Sequence, residues 1–402
     1  MQPKWMSRSK GWLVFVLMLG LEVITGPRTL AQTFSVVHSF PGGTDGANPL
    51  AGLTIDSSGN LYGTASSGGD SGEGAVFKLN RAGIETVLYS FKGGTDGADP
   101  EAALILSDGN LYGTTYGGGA SDLGTVFELT STRKETVLHH FTGKTDGAQP
   151  QAGLAEDAAG NLYGTTFAGG QAGHGVVFKL TRPATPAGVW KEAVLHSFGS
   201  GSDGADPVAG VAFDAAGNLY GTTSAGGTYG QGTVFRLTPS ASGWREQILH
   251  AFAMQGDGGV PYAGIILDSS GNLYGAATDG GGGGSEGGGT VFELSPSNSG
   301  WKFNVIYRLA GWGISGSFRN LLLASGKIYA TTHCDGSHDA GTVYELTPSG
   351  STWKYTSLHV FTGGSDGLYS FSNLVFDALG NLYGTTKQGG AHGDGVVFKV
   401  KP

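Results

Sequence analysis

The chain has 402 residues, of which 32 are acidic and 23 basic, a formal net charge of −9. Such a surface repels nucleic acid and anionic lipid head groups, so neither partner class is expected. The single cysteine, Cys334, excludes an internal disulfide.

The first segment reads as a processing signal. Lys4, Arg8 and Lys10 form a basic start, residues 11–25 are mostly apolar, and Thr29-Leu30-Ala31 is a small-residue cleavage sequence before Gln32. A retained membrane anchor is the alternative, but Glu22 interrupts the apolar run, which falls short of the ~20 residues a spanning helix needs. We therefore expect residues 1–31 to be a signal peptide and the mature chain to be secreted, periplasmic or extracellular, with no membrane insertion. With that segment removed, 19 basic and 31 acidic residues remain.

From residue 33 onward one phrase dominates. Asn-Leu-Tyr-Gly, or a variant of it, recurs with its tyrosine at Tyr62, Tyr112, Tyr163, Tyr220, Tyr274, Tyr329 and Tyr383, at spacings of 50 to 57 residues. A period of that size with strand-like content marks a β-propeller, whose units cannot bury their apolar faces alone. The chain holds 75 glycines, and those of the repeat recur in register and mark turns.

One unit serves as the type. Residues 102–106 are an apolar run, Asp108-Gly109-Asn110 is a turn, 111–115 is a second strand, 124–129 a third and 135–141 a fourth. Each blade thus has four antiparallel strands, A to D, with the uniformly apolar A strand at the centre and D at the rim. Blades begin near Ala51, Ala102, Ala152, Ala209, Ala263, Asn320 and Ser372. The seventh lacks a D strand, while residues 33–40 match the D pattern. We expect an all-β, seven-bladed propeller over 32–402, a monomer, with 33–40 pairing to 395–400 and removing an open edge.

Connectivity puts the D-to-A and B-to-C loops on one face, where propeller ligands usually bind. Six D-to-A loops there carry an aspartate: Asp45, Asp96, Asp146, Asp203, Asp257 and Asp366. A ring of carboxylates with adjacent glycines could hold Ca²⁺ or a polyhydroxyl ligand. The competing reading, which we prefer, is turn chemistry, with each Asp capping its own loop. Asp56, Asp157, Asp214, Asp268 and Asp377 precede Gly-Asn turns and take the same role.

Other repeated polar residues also read as structural. His38, His139, His196, His250 and His359 share one D-strand position with Tyr89 and Tyr307, which asks for an aromatic body with a polar tip. Trp190, Trp244, Trp301 and Trp353 lie just before D strands and read as packing over a hairpin rather than ligand stacking. Gly143-Lys144-Thr145, Gly69-Asp70-Ser71-Gly72 and the run 280–284 imitate catalytic motifs but align with loops of the repeat.

The sixth blade breaks the pattern. It is preceded by Gly311-Trp312-Gly313-Ile314-Ser315, and its B-to-C loop is His333-Cys334-Asp335-Gly336-Ser337-His338-Asp339. Trp312, His333, Asp335, His338 and Asp339 are the candidate ligand-binding residues, suited to a sugar ring or a transition metal. Repeat drift explains the same residues, since their spacing matches no metal motif.

The unit Asp-x-x-Gly-Asn-Leu-Tyr-Gly-Thr-Thr, then Gly-Gly, Gly-Thr-Val-Phe-Glu/Lys-Leu and Val-Leu-His-Ser-Phe, resembles the Gloeobacter–Verrucomicrobia tandem repeat over nearly all of 33–400. Kelch and NHL propellers are more distantly similar. The resemblance implies an exported bacterial propeller, often with a C-terminal sorting anchor, and no shared activity. The tail at Lys401-Pro402 carries no anchor helix, so attachment by that route is not expected. The expected function is a non-catalytic binding or scaffold propeller that recognises a glycan, peptide or envelope partner. The alternative is a polysaccharide-active hydrolase or lyase.

Overall fold

A computed structural model describes residues 32–185, 188–199, 201–282, 287–310 and 321–402. The expected signal peptide, Trp312 and the rest of the loop before the sixth blade lie outside them. The chain forms seven four-stranded antiparallel sheets, and the ring is closed as the repeat predicts. Thr33–Ser39 pairs with Val396–Lys401, from Thr33 opposite Lys401 to Ser39 opposite Val396, as the outer strand of the seventh blade. No helix among the described residues is long and apolar enough to cross a membrane.

Each residue of the repeated phrase has a structural task. In the first blade Asp56 Oδ1 accepts the Asn60 N–H at 2.9 Å, while Oδ2 accepts the Asn60 amide at 2.7 Å and the Tyr62 hydroxyl at 3.1 Å. The same set recurs at Asp157, Asp214, Asp268 and Asp377. The turn is thereby tied to the tyrosine that comes after it. The glycine after the tyrosine is required by space, because a Cβ on Gly63 would sit 2.6 Å from the Phe77 ring.

The next threonine joins blades. Thr64, Thr114, Thr165, Thr222, Thr331 and Thr385 each donate to a backbone carbonyl just before the A strand of the following blade, and Thr385 to Ala51 O at 2.8 Å links the last blade to the first. The fifth blade has Ala276 at this position and can make no such bond.

The apolar core lies mainly between blades. Phe40 packs edge-on against Phe77, Phe91 against Phe127, Phe141 against Phe178, Phe198 against Phe235 and Phe361 against Phe398, with ring centroids 5.0 to 5.3 Å apart. All ten rings are fully buried, each worth roughly 2–3 kcal/mol of burial. The tryptophans pack in the same way, Trp190 against Tyr112 and Trp301 against Tyr220 of the preceding blade.

Every D strand carries a β-bulge, seen in the register breaks at Val36/His38, Val76/Phe77, Val126/Phe127, Val177/Phe178, Val234/Phe235, Val291/Phe292 and Val343/Tyr344. One extra residue flips the face that later side chains present. Glu246 and His250 are four residues apart and would share a face of a regular strand. With the bulge between them, Glu246 faces His196 of the preceding blade and His250 stacks on Phe303 of the next.

Candidate functional site

The A strands and the segments leading into them line a central channel of about 470 Å³, walled by Leu104, Leu154, Val211, Ile265 and Tyr262 among others. The D-to-A and B-to-C loops meet at one mouth of it, paired through bridges such as Ala47 with Ser67 and Leu368 with Gln388. The sequence did not foretell the strain in this mouth. Asn48, Asp99, Gln149, Asp206, Val260 and Tyr369 occupy one loop position and all have φ between 50° and 61°. That left-handed conformation is uncommon outside glycine and an outlier for a β-branched residue such as Val260.

Two hydrogen bonds hold each strained residue. Tyr369 donates its N–H to Ala340 O of the preceding blade at 3.1 Å and accepts the Lys387 N–H of its own blade at 2.9 Å. Five of the six precede proline, which is the one signal the sequence offered. Tyr369 precedes Ser370 instead.

Four residues after each repeat tyrosine, a side chain leaves the B strand at this mouth. The position holds Ser66, Tyr116, Phe167, Ser224, Thr278, His333 and Lys387 in turn. His333 and Lys387 therefore occupy equivalent places in neighbouring blades. His333 packs on Phe371 at 4.2 Å and on Tyr369 at 4.5 Å between ring centroids, and Lys387 lies over Phe371 at 6.0 Å. Burial, with Lys387's charge adding to it, pushes the imidazole down to about 4, so it is neutral at pH 7.

The other candidates of the sixth blade do not join this group. Asp335 is buried and accepts the Thr332 hydroxyl, and burial raises its carboxyl above the ordinary range. His338 is exposed and pairs with the Ser337 hydroxyl at 2.8 Å, while Asp339 is an exposed turn residue with φ 52°. Lys387, Tyr369 and Phe371 were not singled out from sequence. Aligning the position four residues after each tyrosine would have found Lys387.

The loop aspartates bond to their own loops and D strands. Asp146 accepts the Thr142 N–H at 2.9 Å and lies 3.4 Å from His139; Asp366 accepts the Thr362 N–H and lies 3.0 Å from His359. Asp96 takes the Lys92 N–H at 2.7 Å and the Tyr89 hydroxyl at 2.6 Å, and Asp257 the Ala253 N–H at 3.0 Å with His250 at 3.1 Å. Asp45 closes a short 3-10 turn, Gly43–Asp45.

At four junctions a glutamate from the next D strand approaches the same place: Glu85, Glu135, Glu192 and Glu246. Glu246 is pushed up to about 9, by burial first and then by Asp203. Asp203 is also subject to burial, which opposes ionisation, yet bonds from His196, Glu246 and the Gly199 N–H bring it down to about 2. Carboxyls in unlike environments thus occur outside the sixth blade, where the sequence had placed the only asymmetric cluster.

The profile of the Gloeobacter/Verrucomicrobia repeat matches residues 28–215, 132–309 and 209–402, and the chain belongs to that family. Among curated protein sequences none matches it significantly. Three solved structures are similar in shape. A polysaccharide lyase, an ulvan lyase bound to -[GlcA(1-4)Rha3S]-, is 11% identical with TM-score 0.51 over 90% of this chain and 94% of its own. A protein from Thermus thermophilus, provisionally described as an oxidoreductase (glucose dehydrogenase), is 13% identical with TM-score 0.43 over 92% and 100%. Another, provisionally described as a gluconolactonase, is 16% identical with TM-score 0.41 over 74% and 87%.

At these identities the likeness shows the fold alone. It nevertheless overturns the main functional expectation, a non-catalytic binding or scaffold propeller. That expectation rested on most polar residues being repeat structure, with unlike groups in the sixth blade alone, whereas a similarly shaped propeller is a polysaccharide lyase, which favours the alternative reading.

Proposed function

We propose that the chain is a polysaccharide-active enzyme that cleaves an acidic sugar chain by elimination, at the channel mouth between the sixth and seventh blades. The observation that carries this reading is the neutral His333 packed between Tyr369 and Phe371 with Lys387 alongside. An unprotonated imidazole is the form a general base needs, and the aromatic faces offer a sugar ring a stacking surface.

In the proposed step His333 removes the proton on the carbon next to a uronate carboxylate. The electron pair forms a carbon–carbon double bond as the glycosidic C–O bond at the β carbon breaks; the leaving oxygen takes a proton from water, and the imidazolium returns its proton to the solvent. Lys387 faces the carboxylate and lowers the cost of its growing negative charge. Hydrolysis would need two carboxyl groups flanking the glycosidic bond, whereas Asp335 is turned inward to Thr332. In this reading the protein works outside the cytoplasm, as a monomer, after loss of residues 1–31.

The test is to incubate the purified protein with a panel of uronate-containing polysaccharides, monitoring both new reducing ends and ultraviolet absorbance of an unsaturated product. Cleavage with absorbance, lost in His333→Ala, supports the reading. Reducing ends without absorbance would make it a hydrolase, and no cleavage across the panel would sink it.

A further inference from the structure

We infer that His196, Asp203 and Glu246 form a binding site for a divalent transition cation, with Zn²⁺ as the fitting ion, at the junction of the third and fourth blades. It lies outside the proposed catalytic group and does not depend on it. Among the described residues this is the one set of three His, Cys, Asp or Glu side chains whose ligand atoms all lie within 4.8 Å of one another.

The spacing suits a metal. His196 Nε2 lies 3.1 Å from Asp203 Oδ1 and 3.6 Å from Glu246 Oε1. Zinc bonds to imidazole nitrogen and carboxylate oxygen of about 2.1 Å put neighbouring ligands of a tetrahedron roughly 3.4 Å apart. Both observed edges fall near that length.

Donor counting points the same way. One Nε2–H can serve Asp203, and Asp203 Oδ2 is already committed to the Gly199 N–H. Glu246 Oε1 is buried and makes no hydrogen bond. His196 carries the one N–H among the three side chains, and that N–H does not reach Glu246 Oε1. A divalent cation would satisfy all three ligand atoms at once, and its charge would balance the two carboxylates. The Gly199 bond already orients Asp203, as a supporting contact does in a metal site. The three side chains are 15 to 25% exposed, so an ion can enter and keep a water as its fourth ligand.

The other junctions supply the contrast. Phe303 covers His250 at 3.7 Å and 8° from parallel, and Phe34 covers His359 at 3.6 Å and 9°. There the place of Glu246 is filled by an aromatic lid. His139, Asp146 and Glu192 repeat the residue types, but their ligand atoms do not converge.

The experiment is Zn²⁺ titration of the chelator-treated full chain by calorimetry, with thermal unfolding and Zn-edge X-ray absorption in parallel. The expected result is one Zn²⁺ per chain, a raised melting temperature, and an absorption spectrum with one imidazole and carboxylate oxygens. Glu246→Gln and His196→Gln should each weaken binding by about ten-fold or more, as loss of a ligand demands, while His139→Gln leaves it unchanged. Absence of Zn²⁺ binding, a rise in melting temperature with Ca²⁺ but not Zn²⁺, or full binding retained in Glu246→Gln would overturn the assignment. Should either variant fold poorly, the wild-type absorption spectrum decides, and a zinc shell without imidazole refutes the site.

Discussion

The ring of Phe34 lies flat on the imidazole of His359, with centroids 3.6 Å apart and planes 9° from parallel. Phe34 comes from the first strand of the ring and His359 from the sixth blade, so this contact buttresses the closure made by the first and last strands. Phe34→Ala should cost about 1–3 kcal/mol, below the range for a fully buried phenylalanine because Phe34 is only partly buried. Deletion of residues 33–40 should lower the calorimetric melting temperature much further. An unchanged melting temperature would mean that the ring is not closed this way.

The threonine bonds between blades predict a second effect. Thr165→Ala removes the donor to Ala209 O, a bond of 2.9 Å at a buried position, and leaves a buried carbonyl without it. The expected loss is about 1–2 kcal/mol, measured by denaturant unfolding with an unchanged slope. Ala276 in the fifth blade, already without a hydroxyl, should tolerate substitution by glycine no better than other buried strand positions.

Stability should fall as pH rises toward neutrality, through Glu135. Burial, and then Asp96 beside it, raise its carboxyl to about 7 in the folded protein. The folded state therefore holds this proton more tightly than the unfolded chain. Its contribution is fully present below the ordinary carboxylate range and is lost as pH climbs through about 7. After allowance for solvent screening of a half-exposed group, the change is about 1–2 kcal/mol. Glu135→Gln should flatten the stability profile between the ordinary carboxylate range and neutrality, and a profile as steep as wild type would count against the assignment.

Activity on a uronate-containing chain should separate the two basic residues. His333→Ala should lower kcat by about 100-fold or more, as loss of a general base does. Lys387→Ala should raise KM as well as lower kcat. The excess of 31 acidic over 19 basic residues in the chain without residues 1–31 repels an acidic substrate at long range, so moderate salt should first increase kcat/KM by screening that repulsion. A monotonic fall with salt would contradict this account.

Much of the architecture was legible in the sequence because a repeat reports its own boundaries. The spacing of Tyr62 to Tyr383 gave seven units, and the match of 33–40 to D strands gave the closure. Asp56 and its equivalents were readable as turn residues because Asp-x-x-Gly-Asn is local chemistry. The bond from Asp56 to the Tyr62 hydroxyl was not readable, since it depends on how the hairpin folds back.

The candidate site was legible only in part. His333 stood out because it broke the repeat, but Asp335, His338 and Asp339 stood out for the same reason and point elsewhere. Tyr369, Phe371 and Lys387 sit 36 to 54 residues away in the chain and meet His333 only through the packing of adjacent blades.

By itself the sequence determined the number of blades, the strand order within them and the closing strand, because periodicity and turn chemistry are properties of neighbouring residues. Only the tertiary structure decided which side chains face each other across blade junctions. A single bulged residue in each D strand reverses the face that the rest of the strand presents, and that reversal brings Glu246 to His196 and Phe34 to His359.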